Sequence, residues 1–438
     1  MTMLQSEPFI EVGILHHQQI EFALNGEFLL NGTDEIVPGY YKAIWTAKGI
    51  LFRGEVFDAL SFTPMQYSNS FDLYNVTIGI QFHWEREEKL CFPGELKVIS
   101  DGKEIWAINR VLLETYLASV ISSEMKATAS TALLQAHAVI SRSWLLAQLA
   151  GSQKKKSPHL QEQASDEIIR WFDREDHLLF DVCADDHCQR YQGVTRVSAP
   201  QVTDAVQYTR GEVLMYNGEI CDARFSKCCG GISERFENCW EDMPHPYLVP
   251  VYDREAGSQM PHLVNEQEAE NFIRSLPEAF CNTVDESILN QVLNNYDRET
   301  PDFYRWQIKY TQKEIASIIK NRLNIDLGDI LDLKPLVRGD SGRIIRLQIV
   351  GSCRSIIIGK ELMIRRTLSP THLYSSAFVV DKEVGFDGVP VLFTLTGAGW
   401  GHGVGLCQIG AAVMGSQGYT YNQILFHYFK HAELKKIY

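Results

Sequence analysis

The stretch from 112 to 144, LLETYLASVISSEMKATASTALLQAHAVISRSW, carries the pattern that decides how this chain folds. Its first apolar residues recur at the three- and four-residue spacing of one helix face. These residues are Leu113, Leu117, Val120 and Ile121. The polar, alanine-rich link KATAS then interrupts the pattern, and Ser130 is placed to cap a second helical run. The stretch therefore predicts two consecutive helices.

Glu124 places a carboxylate on the apolar face of the first predicted helix, four and three residues after Val120 and Ile121. Burial disfavours the ionised form of a carboxylate, so we expect Glu124 to be able to hold a proton near neutral pH, as a general acid must. Alternatively, the helix frays at its C-terminal end, and Glu124 is half exposed or paired with Lys126 or Arg142. The pattern alone leaves both interpretations open.

The composition describes an ordinary globular chain. Its 438 residues are 45% hydrophobic, and 41 basic against 55 acidic residues give a formal charge of -14 without a long block of one sign. This balance argues against nucleic acid as a partner. No run approaches the roughly eighteen apolar residues of a membrane span. The start, MTMLQSEPFI, lacks the pattern of an export signal, so we expect a cytoplasmic protein, or an envelope protein if a leader precedes the given sequence.

The chain outside the helical pair alternates between strand-rich and helix-rich sections. Short β-rich runs broken by turns fill residues 9 to 109, and short strands with glycine turns return from 203 to 250. Residues 252 to 325 are polar and predicted to be helical, with capping-box patterns at Thr283–Glu286 and Thr311–Glu314. Strand patterns resume with RIIRLQIV and SIIIG, and Thr420 with Gln423 opens a final helix.

Two imidazoles and two thiols lie close together in the stretch DHLLFDVCADDHCQRY. They belong to His177, Cys183, His187 and Cys188. Two thiolates and two imidazoles suit tetrahedral Zn²⁺, and four protein ligands leave no open position, so we infer a structural zinc site. Two alternatives remain: reduced thiols beside solvated histidines, or a catalytic zinc held by three ligands with a reactive water. We interpret most of the ten scattered cysteines as reduced.

Two glycine-rich segments, FSKCCGGISE at 225 to 234 and GAGWGHGVGLCQIGA at 397 to 411, are too rich in glycine for ordinary strands. Glycine permits positive φ and close backbone approach to a ligand, although neither segment matches a phosphate-binding loop. The sequence does not decide whether Cys228 or Cys229 pairs with Cys221 or Cys239. Cys407 lacks the accompanying residues of a thiol nucleophile.

Four stretches together resemble the stage II sporulation protein D family, also called the amidase-enhancer family. They are the helical-pair stretch, DHCQRYQGV, FSKCCGGISE and GWGHGVGLCQIGA. The helical-pair stretch matches the family motif of Tyr-Leu, small residues, Glu-Met and Ala-Val-x-x-Arg, which falls on Glu124 and Arg142. Gln135 stands where members usually carry Lys, and Lys126 stands where a Pro is common.

The resemblance implies a peptidoglycan lytic transglycosylase with Glu124 as the single catalytic acid/base. It further implies that Arg142 binds glycan or stabilises developing charge, and that the glycine-rich segments line a glycan groove. The remaining residues that could contact sugar there are Gln135, Lys227, Glu234, Trp400, His402 and Gln408; Trp400 could equally be a core residue. Some members also carry a His-Cys-His-Cys set beside the groove, which favours the zinc interpretation.

The implied substrate is the glycan strand of peptidoglycan, stripped of its peptides by a partner amidase. Two other functions stay open: a non-catalytic glycan-binding activator of an N-acetylmuramoyl-L-alanine amidase, and a zinc-dependent cell-wall hydrolase. The sequence does not decide whether sporulation is involved.

Together these patterns predict a mixed α+β fold, in which a β-rich scaffold carries the catalytic helical pair and an inserted helical lobe. We expect a β-rich section at 1–110, a core with the helical pair and metal cluster at 111–251, and the lobe at 252–325. A β-rich return with the glycine-rich groove loop and a C-terminal helix completes the chain at 326–438.

Overall fold

A computed structural model of the chain describes residues 6–79, 85–126, 128–152, 162–164, 166–172, 177–185, 188–195, 200–255, 257–292 and 302–438. Within these ranges the chain forms nine α-helices and 25 strands. The fold is therefore mixed α+β and rich in strands, which confirms the predicted fold class. None of the helices in the described ranges is long and apolar enough to cross a bilayer.

The helices are α1 (Leu113–Glu124), α2 (Thr131–Ser152), α3 (Pro200–Tyr208), α4 (Glu266–Arg274), α5 (Glu286–Val292), α6 (Gln312–Leu323), α7 (Glu361–Thr367), α8 (Gln408–Ser416) and α9 (Tyr421–Tyr428).

The strands are β1 (Phe9–His17), β2 (Gln19–Asn25), β3 (Phe28–Leu30), β4 (Gly39–Thr46), β5 (Gly49–Phe52), β6 (Glu55–Phe57), β7 (Ala59–Pro64), β8 (Ser70–Ile78), β9 (Arg86–Pro93), β10 (Glu95–Ser100), β11 (Ile105–Leu112), β12 (Glu162–Ala164), β13 (Glu167–Ile169), β14 (Val182–Cys183), β15 (Glu212–Tyr216), β16 (Glu219–Ile220), β17 (Phe225–Ser226), β18 (Arg305–Thr311), β19 (Ile330–Arg338), β20 (Ile344–Gly351), β21 (Ser355–Gly359), β22 (Phe378–Val384), β23 (Pro390–Ala398), β24 (Leu406–Cys407) and β25 (Glu433–Lys436).

The first eleven strands confirm the predicted strand-rich opening and, together with β14, build two six-stranded sheets. One sheet has the strand order β14-β1-β11-β10-β7-β3, and the other has the order β6-β5-β4-β2-β8-β9. Strand β11 runs directly into α1, so the first sheet fixes where the helical pair begins. The same sheet accepts β14 beside β1, in parallel, which brings Cys183 opposite Gly13.

The helical pair forms as predicted. Helix α1 ends at Glu124, and α2 begins at Thr131. The Ser130 hydroxyl accepts a hydrogen bond from the Leu133 N–H at 3.3 Å, which confirms the predicted cap. The helices pack into the large core formed with the N-terminal sheets.

Capping predictions further along the chain have mixed outcomes. Both halves of the capping box are present at Thr311 before α6 and at Thr420 before α9, as predicted. The predicted box at Thr283 is wrong, because α5 begins only at Glu286 and the side chain of Asp285 accepts the Ser287 N–H at 2.8 Å. A carboxylate directly before the first helical residue replaces the more distant hydroxyl.

A second hydrophobic core lies between residues 306 and 395 and is built by β18 to β23 with α6 and α7. The helical prediction is wrong for Arg305–Thr311, which forms β18 and pairs along its whole length with β23. Residues far along the chain supply that partner, so local pattern could not reveal the strand. The domain boundaries at 110, 251 and 325 stay predictions.

Candidate functional site

Glu124 is the last residue of α1, where the Met125 N–H closes the helix on the Ile121 carbonyl at 2.8 Å. Its side chain is half-buried. In the described part of the chain, no donor hydrogen-bonds to its carboxylate and no cation pairs with it. The carboxylate is thus partly shielded and available to a ligand, and it pairs with neither Lys126 nor Arg142.

The chain directly after Glu124 meets the C-terminal end of α5. The Lys126 N–H donates to the Gln291 carbonyl at 2.9 Å, and the Lys227 ammonium donates to the neighbouring Val292 carbonyl at 2.8 Å. Because the two accepting carbonyls are adjacent, the first glycine-rich segment, which contains Lys227, lies near the end of α1 that carries Glu124. Lys227, one of the predicted sugar-contacting residues, is half-buried there.

Tyr116, on α1, links Glu124 to the cysteines predicted to bind metal. Burial raises the pKa of its phenol well above the ordinary value, and the charges of Cys188, Cys183 and Glu124 raise it further. The hydroxyl donates to the Gln189 side chain at 3.3 Å. Glu124 and both thiols therefore act electrostatically on one buried phenol.

The ligand atoms of His177, Cys183 and Cys188 all lie within 4.8 Å of one another. The separation between His177 Nε2 and Cys188 Sγ is 3.4 Å. Zinc bonds of about 2.3 Å to sulfur and about 2.0 Å to nitrogen place two tetrahedral ligands roughly 3.5 Å apart, so this set fits the ion. The fourth predicted ligand, His187, lies outside the described residues.

The structure corrects the prediction that Arg142 contacts Glu124 or a glycan. Arg142 is completely buried, and its guanidinium forms two hydrogen bonds with the carboxylate of Glu114, at 3.0 and 2.6 Å. It also donates to the Glu212 carbonyl at 2.9 Å. Because these buried partners occupy the guanidinium, the residue joins the two helices and does not face a groove.

The two glycine-rich segments pair with each other. Strand β17 lies parallel to β24, and Cys228 and Trp400 exchange backbone hydrogen bonds of 3.1 and 2.8 Å. Gly405 has a φ of +73°, and a Cβ added to it would lie 2.1 Å from the Arg224 carbonyl oxygen. Glycine at this position is thus required by close backbone packing within the protein.

The structure corrects the prediction that Glu234 and Gln408 contact sugar. Both side chains are buried and hydrogen-bonded within the protein. The Glu234 carboxyl accepts the Ser341 hydroxyl at 2.5 Å and the Asn238 amide at 2.8 Å. Burial raises its pKa against the opposing effect of these hydrogen bonds. The Gln408 amide lies 3.2 Å from Nε2 of the buried His137.

Three other predicted residues are half-buried. Trp400 stacks on Phe303 with ring centres 4.7 Å apart, which limits the face that it could offer to a sugar. His402 accepts the Val404 N–H at 3.0 Å, and burial with nearby arginines holds its pKa well below the ordinary value. Gln135 lines an open cavity of about 580 Å³ at the start of α2.

Two features escaped the sequence reasoning. Glu114, the partner of Arg142, is a charge in the first turn of α1 that is as deeply buried as the apolar residues beside it. Asp253 lies with three cysteines in a buried group that no spacing rule predicts. In both cases the partners come from distant parts of the chain.

Comparison with known proteins supplies the family. The family described as Stage II sporulation protein matches residues 101–216, and a domain of unknown function matches 234–405. The chain is 24% identical to an uncharacterized protein of Brachyspira hyodysenteriae, over 78% of this chain and 72% of that protein. It is 23% identical to stage II sporulation protein D of Bacillus subtilis, over 75% of this chain and 76% of that protein.

The amidase enhancer of Bacillus subtilis is 23% identical over 51% of this chain but only 31% of the relative. These matches relate the chain to stage II sporulation proteins and amidase enhancers, and they support a cell-wall-related function. The match over residues 101–216 and these relatives confirm the resemblance of the motifs to the stage II sporulation protein D and amidase-enhancer family.

Proposed function

We propose that the chain is a peptidoglycan lytic transglycosylase in which Glu124 is the only acid/base. Family membership supports a cell-wall-related function. The observation that carries the finer proposal is the position of Glu124. Its carboxylate is half-buried at the end of a packed helix, and among the described residues it has no hydrogen-bond partner. A polar group in such a position is available to a ligand.

One carboxyl group suffices for the reaction. As an acid it gives its proton to the oxygen that links C1 of N-acetylmuramic acid to N-acetylglucosamine, while that C1–O bond breaks. As a base it then accepts the proton of the muramyl 6-hydroxyl, whose oxygen bonds to C1. The product is a 1,6-anhydro ring, no water is consumed, and Glu124 regains its proton. A hydrolase with two carboxylates would need a second acid nearby.

Lys227 is the cation best placed to assist this chemistry. Its ammonium bonds to the last residue of α5, next to the carbonyl that accepts the Lys126 N–H. We propose that it attracts the lactyl carboxylate of muramic acid, a function that a Lys at the position of Gln135 would otherwise serve. His177, Cys183 and Cys188 would hold a structural zinc ion. That ion would fix β14 and the loop after it, whose Gln189 side chain accepts the Tyr116 hydroxyl.

The alternative of a non-catalytic activator is supported by the relative named amidase enhancer. An activator would bind glycan and stimulate an amidase that removes stem peptides, without cutting the strand itself. The alternative of a zinc-dependent hydrolase is supported by the partial exposure of the three described zinc-ligand candidates. It predicts that a chelator abolishes cleavage while the protein stays folded.

The decisive experiment compares wild type with Glu124→Gln on purified, peptide-free glycan strands. Wild type should yield fragments with anhydro-muramyl ends, and Glu124→Gln should lose at least 100-fold of the rate, in line with the roughly 10²–10⁴-fold that general acid–base catalysis contributes. Glu278→Gln is the matched control, because the Glu278 side chain is 86% exposed.

A measurement of amidase stimulation separates the alternatives. If the protein is a pure activator, the wild type and Glu124→Gln should stimulate a peptide-stripping amidase to the same extent. Neither form would then release anhydro ends. Undiminished cleavage by folded Glu124→Gln would overturn the proposal.

A further inference from the structure

A second group of potential metal ligands lies in the interior and shares no residue with the group of His177, Cys183 and Cys188. The Sγ atoms of Cys229, Cys281 and Cys407 and a carboxylate oxygen of Asp253 all lie within 4.8 Å of one another, and all four residues are buried. These residues come from four separate parts of the chain. Three sulfurs and one oxygen correspond in number to a tetrahedral coordination shell.

The distances within the group suit a metal better than a disulfide. Cys229 Sγ and Cys281 Sγ are 3.6 Å apart. Two thiolates on one zinc, at about 2.3 Å each, are roughly 3.8 Å apart in tetrahedral geometry, whereas a disulfide requires about 2.0 Å. No disulfide joins Cys229, Cys281 or Cys407 in the structure. Little movement of the two side chains would therefore complete a shared coordination shell.

The surroundings orient the ligands and provide partial positive charge. The Cys229 N–H donates to Cys407 Sγ at 3.2 Å, and the Cys281 N–H donates to Asp253 Oδ2 at 2.9 Å. The Tyr428 hydroxyl donates to the other oxygen, Oδ1, at 2.6 Å. Hydrogen bonds of this kind, made to the ligand side chains by neighbouring groups, orient the ligands of known metal sites.

Two further features point to the same place. Cys407 is the residue immediately before α8, and a helix N-terminus favours negative charge on such a ligand. His427 Nε2 lies 3.8 Å from Asp253 Oδ1, is shielded from solvent, and has no hydrogen-bond partner among the described residues. Buried polar atoms normally have a hydrogen-bond partner, so an unpartnered one beside a carboxylate is consistent with a site for an ion.

We propose that Cys229, Asp253, Cys281 and Cys407 bind one Zn²⁺ ion as a second, structural metal site. Four protein ligands and complete burial leave no position for a reactive water, so the site is closed. Its effect would be to hold both glycine-rich segments, through Cys229 and Cys407, to the loops that carry Asp253 and Cys281. Three thiolates and one carboxylate in a tetrahedral arrangement favour Zn²⁺, which binds sulfur ligands well.

The test uses the full chain produced with added zinc, and it counts metal by mass spectrometry of the purified protein. Cys183→Ser/Cys188→Ser removes two ligands of the other group. We expect this double variant to retain one zinc per chain, and Co²⁺ substitution should give it a sulfur-to-cobalt charge-transfer band of three thiolates. Adding Cys281→Ser should remove the remaining zinc.

Cys221→Ser in the same background is the matched control, because Cys221 is a buried free thiol outside the group. It should retain the zinc. Circular dichroism reports whether each variant folds, and if the Cys281 variant does not fold, the metal content and cobalt band of the folded double variant decide. A folded double variant without metal, whether its thiols are free or joined as a Cys229–Cys281 disulfide, overturns the proposal.

Discussion

Arg142 and Glu114 form a two-pronged ion pair in the interior, with Nε to Oε1 at 3.0 Å and Nη2 to Oε2 at 2.6 Å. The pair joins the middle of α2 to the first turn of α1. The Tyr438 hydroxyl and the Gly211 N–H also donate to Glu114 Oε1, at 2.5 and 3.2 Å. The motif arginine thus fixes the helical pair and, through it, the end of α1 where Glu124 lies.

Removal of one member of this pair should destabilise the whole protein. Arg142→Ala leaves the Glu114 carboxylate buried without its cation, which costs about 3–5 kcal/mol of unfolding free energy. Urea unfolding followed by circular dichroism measures the loss. Lys320→Ala, which removes an exposed ion pair with Asp326, should produce no resolvable change.

The double variant Glu114→Leu/Arg142→Met should be less destabilised than Arg142→Ala, since it buries no unpaired charge. If Arg142→Ala unfolds like wild type yet loses glycan binding, the guanidinium faces substrate and the assignment to the core is incorrect.

The close pairing of the glycine-rich segments makes a second prediction. Gly405 and Gly218 both have positive φ, +73° and +82°, but an added Cβ at Gly218 meets nothing within 4 Å. Gly218→Ala should therefore cost only the backbone strain of about 1–2 kcal/mol. Gly405→Ala should lose roughly 1–3 kcal/mol more, because its Cβ collides with a backbone oxygen. Equal losses in a thermal or urea comparison would show that this backbone contact is absent.

His137 should make the protein sensitive to acid. Burial, with a smaller effect of Lys227, lowers the pKa of its imidazole from 6.5 to about 3. The unfolded chain binds a proton at this residue below about pH 6.5 while the folded protein does not, so stability falls as the pH drops from 6.5 towards 3. The contribution approaches roughly 1.4 kcal/mol per pH unit within that window.

Urea unfolding at several pH values tests this dependence. His137→Gln, which cannot titrate, should show a shallower loss of stability between about pH 6.5 and 3. His262→Gln, at an exposed histidine, should keep the wild-type slope. A slope in His137→Gln as steep as in wild type would show that the imidazole is not held neutral in the fold.

Local sequence patterns predicted features that depend on neighbouring residues. The spacing of apolar residues found α1 and α2, and the Thr-x-x-Glu and Thr-x-x-Gln patterns found two helix starts. Glu124 could be singled out because a charge interrupts an apolar stripe. The family motifs then suggested a cell-wall-related function, which periodicity alone could not do.

Features that depend on distant partners were missed or misassigned. Arg142 looked like a groove residue, because its partner Glu114 is 28 positions away on another helix. The glycines looked like ligand contacts, because only the folded chain shows the pairing of Cys228 with Trp400. β18 looked helical, because its strand partner begins at Pro390.

We propose above that Glu124 drives an intramolecular attack by the muramyl hydroxyl. Digestion of peptide-free glycan in water labelled with heavy oxygen tests this step. Mass spectrometry of the fragments reads the origin of each new end. Wild type should produce anhydro-muramyl ends without heavy oxygen, and Glu124→Gln should lose them. Reducing ends that carry one heavy oxygen would contradict this proposal, because water and not the sugar would then have attacked C1.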